Sequence, residues 1–163
     1  MASTTSKRPT RDAQRGMDDL VDAILLSSRA LVAVSARSIA GAQGVTLPQF
    51  RMLVVLDAGP TNLSGLADAL DVAPSTAMRM VDRLVDAGSV ERSVLPDNRR
   101  ETHLSLTAVG RRTVRTVTAR RRRDLHAVVE RVPADRRAAV AVAMADFAAA
   151  ADQVWPHQPV AGV

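Results

Sequence analysis

The stretch LADALDVAPSTAMRMVDRLVDAG, Leu66 to Gly88, decides the fold. In and just ahead of it, apolar residues recur at helical intervals twice, as Leu63, Leu66, Ala67 and Leu70 and then as Ala77, Met80, Val81 and Leu84. Asn62 is a good N-cap for the first run, and Pro74 is a favoured first residue for the second. The turn Asp71-Val72-Ala73 separates them, and Gly88 closes the second. Two short helices across a tight turn make a helix-turn-helix, which has a task when its second helix presents small polar and basic residues away from its core stripe. Here Ser75, Thr76, Met78, Arg79 and Arg83 occupy that free face. Ser75 and Thr76 suit base edges or phosphate, Arg79 suits the O6 and N7 of guanine, and Met78 suits a thymine methyl.

Immediately downstream stands VLPDNRRETHLSLT, Val94 to Thr107. Leu104 and Leu106 alternate with polar residues, and Pro96-Asp97-Asn98 is strong turn chemistry, so the segment reads as a β-hairpin. Arg99 and Arg100 follow the turn at once. A cationic hairpin tip beside a groove-reading helix matches the narrow, negative minor groove of A·T tracts. Arg99 is the expected minor-groove residue, oriented by a salt bridge from Asp97, and Arg100 is assigned to the phosphate backbone.

The rest of the chain frames this unit. Met17, Leu20, Val21, Ile24, Leu25, Leu31, Val32 and Ile39 outline one long amphipathic helix ending near Gly41. Thr46 and Gln49 have capping-box spacing ahead of a second helix that stops at Gly59-Pro60. Thr107 reads as the N-cap of another long helix running to about Val132, where Pro133 breaks it. A final alanine-rich helix covers about Ala134 to Val154. Its small residues allow close helix approach and read as an oligomer interface.

Charge agrees with a polyanionic partner. Lys and Arg number 22 against 17 Asp and Glu, a formal +5 that is nearly all arginine, the residue best suited to phosphate and guanine. The chain holds no cysteine or tyrosine, one tryptophan and two phenylalanines. Disulfides, thiolate metal sites and thiol redox sensing are therefore excluded, and an aromatic platform for single strands is not expected. His103, His126 and His157 lack metal-ligand spacing, so no metal is expected. With no glycine-rich phosphate loop and no clustered carboxylates, we expect neither a cofactor nor a catalytic site. No apolar run approaches a membrane span, and the N-terminus lacks the apolar core of a secretory signal; a cytoplasmic location is expected.

The run LADALDVAPSTAMRMVDRLVDAGSVERSVLPDNRRETHLSLTAVGR resembles the winged helix-turn-helix of MarR-type transcriptional regulators, including Asp-x-Arg-Arg at Asp97, Arg99 and Arg100. The specific part covers about residues 63–112. The resemblance implies a mostly α fold: a winged helix-turn-helix with long N- and C-terminal dimerisation helices and a two-stranded β wing. It further implies a homodimer on a palindromic operator in double-stranded DNA, a repressor or less often an activator, released by a small-molecule effector that is often aromatic or phenolic. Its groove-reading helix falls on Pro74 to Ala87 and its minor-groove arginine on Arg99. Two departures stand out: Ala73 replaces the usual Ser or Thr cap, and Met78 replaces a small polar residue. The expected organisation is a flexible basic arm over 1–16, a dimerisation helix over 17–45, a DNA-binding lobe over 46–112, C-terminal dimerisation helices over 113–155 and a loose tail over 156–163.

Other readings stay open. The basic face also fits a winged-helix protein-interaction module, or an architectural DNA binder without an effector. Arg121, within the run Arg120 to Arg123, falls in the apolar register of Val114, Val117, Leu125, Val128 and Val132. It either snorkels or pairs with Asp124 or another helix's carboxylate, or faces a buried carboxylate across the dimer or on an acidic ligand. Arg111, Arg112 and Arg115 lie early in the long helix, within reach of phosphates beside the wing, although a solvated face explains them slightly better.

Overall fold

A computed structural model describes residues 11–42, 44–95 and 98–154. Helix α1 (Arg11–Ala40) is followed by α2 (Leu47–Ala58), strand β1 (Thr61–Asn62), α3 (Leu63–Leu70) and α4 (Pro74–Asp86). Strands β2 (Val90–Leu95) and β3 (Asn98–Leu106) then lead into α5 (Ala108–Val129), a 3-10 turn (Ala134–Arg136) and α6 (Arg137–Val154). The fold is mostly helical with a small antiparallel sheet, as the sequence implies.

Local chemistry sets the boundaries. The capping box closes: the Thr46 N–H donates to Gln49 Oε1 at 2.9 Å and the Gln49 N–H returns to Thr46 Oγ1 at 3.4 Å. Asn62 Oδ1 accepts from the Gly65 N–H at 2.8 Å, and Thr107 Oγ1 accepts from the Gly110 N–H at 3.1 Å. Helix α3 ends on Asp71 in the left-handed region, at φ 53° and ψ 53°, which turns the chain into α4. Helix α1 begins at Arg11 rather than near Met17, so residues 11–16, expected in the flexible arm, are helical. That first stretch holds no apolar residue larger than Ala13, so no apolar period marks it.

Packing joins these pieces into one core. Met52, Leu53, Leu66, Ala77, Val81, Leu84 and Val117 are almost wholly inaccessible. Around them lie Ile39 from the end of α1, Leu104 and Leu106 from β3, and Val114 from α5. Truncating one such leucine to alanine costs roughly 2–5 kcal/mol, so the core fixes the direction of α4 firmly. Strand order is β1-β3-β2. Thr61 and Asn62 pair with Leu104 and His103, adding a third strand that was not expected. The outer halves of the terminal helices are different. Met17, Leu20, Val21, Leu25 and Leu26 of α1 are exposed, and α6 buries no residue at all.

Candidate nucleic-acid interface

Helix α4 divides cleanly into two faces. Ala77, Val81 and Leu84 are buried, with Met80 half-buried beside them. Ser75, Met78, Arg79 and Arg83 are exposed and Thr76 is partly so, which brings the five expected groove residues to one side. Arg79 donates to Thr76 Oγ1 at 3.3 Å across one helical turn, ordering two of them together. Ala73 supplies no side-chain cap, as its chemistry requires. Pro74 has no N–H, while those of Thr76 and Ala77 both reach the Ala73 carbonyl, at 2.8 and 3.0 Å. The Ser75 N–H is thus left for an external acceptor, at the positive end of the helix dipole.

The hairpin stands beside this face. β2 and β3 pair regularly from Val90–Leu106 to Val94–Thr102, then the register jumps to Leu95–Asn98. Arg99 and Arg100 fall on that irregular stretch of β3, where a bulge bends the ribbon and raises its twist. For these two residues the backbone path is described. Asp97, expected to orient Arg99, lies outside the described residues.

Helix and hairpin are tied at two places. At the far side Arg92 of β2 donates from Nη2 to Asp82 of α4 at 2.5 Å. At the root, Thr107 donates from its hydroxyl to the Gly88 carbonyl at 2.7 Å and from its N–H to the Ser89 carbonyl at 3.1 Å. Gly110 closes that joint, since a Cβ there would lie 2.1 Å from the Ser89 carbonyl oxygen. Neither tie was expected. Asp82 and Arg92 are separated by a helix end and a turn, and no sequence spacing links them; the glycine three residues after Thr107 is the one trace of the second.

Arg121 is partly buried beside a small cavity of about 50 Å³, lined also by Ser35, Leu47, Phe50, Arg51 and Val54. Asp124, the pairing candidate on its own helix, accepts from Ser38 Oγ at 3.2 Å. The cavity between α1, α2 and α5 is thus lined by two arginines, Arg121 and Arg51, a juxtaposition that sequence alone does not reveal. Among the described residues no group of His, Asp and Glu is arranged to hold a metal, and no helix is long and apolar enough to cross a membrane.

A family model described as the MarR family matches residues 45–102, from the α2 cap into the second strand of the hairpin. The crystal structure of RV1404 from Mycobacterium tuberculosis is 44% identical over 83% of this chain and 93% of that one, with a TM-score of 0.77. The chain belongs to the MarR family of transcriptional regulators. Its winged-helix fold is the DNA-binding fold of that family. A MarR-family protein from Bacillus stearothermophilus shares the fold at 22% identity, with a TM-score of 0.74 over 82% of this chain and 94% of that one. So does a Staphylococcus aureus MepR variant solved with an oligodeoxyribonucleotide, at 15% identity and a TM-score of 0.64 over 80% and 96%. A comparison with curated proteins found no match.

Proposed function

We propose that this MarR-family chain is a homodimeric repressor that reads a palindromic operator in duplex DNA and leaves it when a small acidic effector binds. The carrying observation is the free face of α4, where Ser75, Thr76, Met78, Arg79 and Arg83 stand together beside the arginine-bearing hairpin. In this reading α4 enters a major groove and Arg99 the adjoining minor groove, with Asp97 steadying Arg99 and Arg100 on the backbone. A MepR variant of the same fold was solved with an oligodeoxyribonucleotide, which supports DNA as the partner.

Dimerisation follows from what the single chain leaves bare. The exposed apolar residues of α1, together with Val140, Val142, Met144 and Phe147 of α6, are partly water-facing in one protomer. A second copy buries such surface at roughly 25 cal/mol per Å². It also supplies a second reading helix, because one helix contacts too few base pairs to specify a site. An operator with dyad symmetry and half-sites about one helical turn apart is the geometric consequence. Such a protein is non-catalytic and works in the compartment that holds the DNA, the cytoplasm.

The effector seat is the cavity between α1, α2 and α5. Arg51 and Arg121 supply charge for a carboxylate. Drug-sized ligands fill pockets of about 300–1,000 Å³, so this cavity accepts one only by opening. A ligand that binds the opened form alone shifts the population toward it, the differential affinity that release requires.

Selection of bound sequences from random duplex DNA tests the reading. We expect a dyad-symmetric consensus, a large affinity loss for Arg99→Ala without unfolding, and flattened discrimination among operator variants for Arg79→Ala. One bidentate arginine–guanine contact carries about 1–3 kcal/mol of that discrimination. Sequence-independent binding, or footprints unchanged in both variants, overturns the assignment in favour of an architectural or protein-binding module.

A further inference from the structure

A duplex that seats α4 in its major groove and the hairpin tip in the next minor groove has one sugar–phosphate strand between those grooves. That strand must cross the space between helix and hairpin. The space is an open cleft of about 530 Å³, with Val81 and Leu104 among the side chains lining it and Asn62, Ser64, Thr102, Asp82 and Arg92 as its polar residues. Among the described lining residues Arg92 is the cation and Asp82 the anion. Both are partly exposed, their side chains retaining 39% and 51% of their accessible surface.

The pair has a problem to solve. Asp82 sits on a helix aimed at a polyanion, and a bare carboxylate there repels the backbone. Arg92 answers it with one nitrogen only, since Nη2 takes the Asp82 bond. A guanidinium carries five N–H donors in a planar fork, so Nη1 and Nε keep donors for a second acceptor. A phosphate oxygen at the cleft mouth suits that fork, because charge-assisted, paired donors are the strongest phosphate contacts a side chain makes.

We propose that the cleft between α4 and the hairpin seats a backbone phosphate of the operator, with Arg92 as its ligand and Asp82 as the positioning residue that holds Arg92 there and damps its charge. This rests on the DNA-reading assignment above and adds a contact outside the α4 face and the Asp-x-Arg-Arg run. Asp82 keeps Arg92 from clinging to any passing anion, so full engagement depends on α4 being correctly seated.

The test is fluorescence anisotropy of the full chain on its selected operator and on a scrambled duplex, across a salt series. Arg92→Gln weakens the operator complex more than the scrambled one and lowers the operator's log–log salt slope by about one per protomer, the counterion release of one phosphate contact. Arg92→Lys restores the slope, because a point charge still binds phosphate. Asp82→Asn tightens the scrambled complex several-fold, narrowing the gap between operator and scramble. Melting temperatures unchanged in all three variants separate these effects from folding. An Arg92→Gln slope equal to that of the wild type, or an Asp82→Asn protein that binds the scramble more weakly, overturns the phosphate seat alone. A wild-type chain that binds no duplex overturns the functional assignment and this inference together.

Discussion

Gly110 stands at the third position of α5, where a helix ordinarily gains from alanine. Exchanging glycine for alanine within a helix raises stability by roughly 0.5–1 kcal/mol. The structure reverses that sign. A Cβ on Gly110 would lie 2.1 Å from the Ser89 carbonyl oxygen and 3.1 Å from both the Ser89 carbonyl carbon and Leu106 Cδ2. Restoring ordinary contact at about 3.4 Å requires the helix start to retreat by about 1.3 Å. The obstacle is backbone, so no side chain can swing away. Retreat also stretches the 3.1 Å bond from the Thr107 N–H to Ser89 and the 2.7 Å bond from the Thr107 hydroxyl to Gly88. Overpacking costs about 1–3 kcal/mol and a weakened cap about 1 kcal/mol. After the helical gain, Gly110→Ala loses about 1–3 kcal/mol. For a chain of this size each kcal/mol moves the melting temperature by roughly 2–4 °C, so calorimetry should show a fall of several degrees. Urea unfolding should show a lower midpoint with an unchanged slope. A variant as stable as the wild type, or more stable, refutes the close approach.

Asp71 holds the helix-turn-helix turn in the left-handed region, so Asp71→Gly keeps or slightly raises stability while Asp71→Val loses about 1–2 kcal/mol, measured by the same melts. Phe147→Glu places charge on the apolar surface of α6 and should convert the proposed dimer to monomers in sedimentation velocity; an unchanged mass argues that α6 is not at the interface. Arg121→Met should leave operator binding intact but abolish release by acidic ligands, or else abolish dimerisation; a variant that dimerises and responds normally removes Arg121 from both roles.

The reading unit was legible because short-range chemistry announces it. Asn62, Pro74 and the turn around Asp71 fix two helices within a few residues, and the apolar stripe of α4 assigns its faces by arithmetic. The missing cap at Ala73 was equally readable. Strand β1 was not, because two residues carry no period and Thr61 becomes a strand only by finding Leu104. The α1 start escaped for a similar reason: a polar helical turn without apolar spacing resembles an arm. Arg92–Asp82 and Arg51–Arg121 depend on how separate elements meet, which spacing along the chain does not encode. Apolar periodicity in α1 predicted a buried stripe, yet its outer half is bare within one protomer, since periodicity says that a face wants covering and not what covers it.

The joint at Thr107 makes α5 a lever. With 22 residues rising about 1.5 Å each, that helix is roughly 33 Å long, and its near end is bolted to the peptide units linking α4 to β2. A tilt of about 5° moves the far end by about 3 Å and swings recognition helix and hairpin as one rigid head. In a twofold assembly the two heads swing oppositely. Under the proposed function, an effector wedged against the lever then need not loosen any contact with DNA; it would have only to spoil the separation between heads that two half-sites demand.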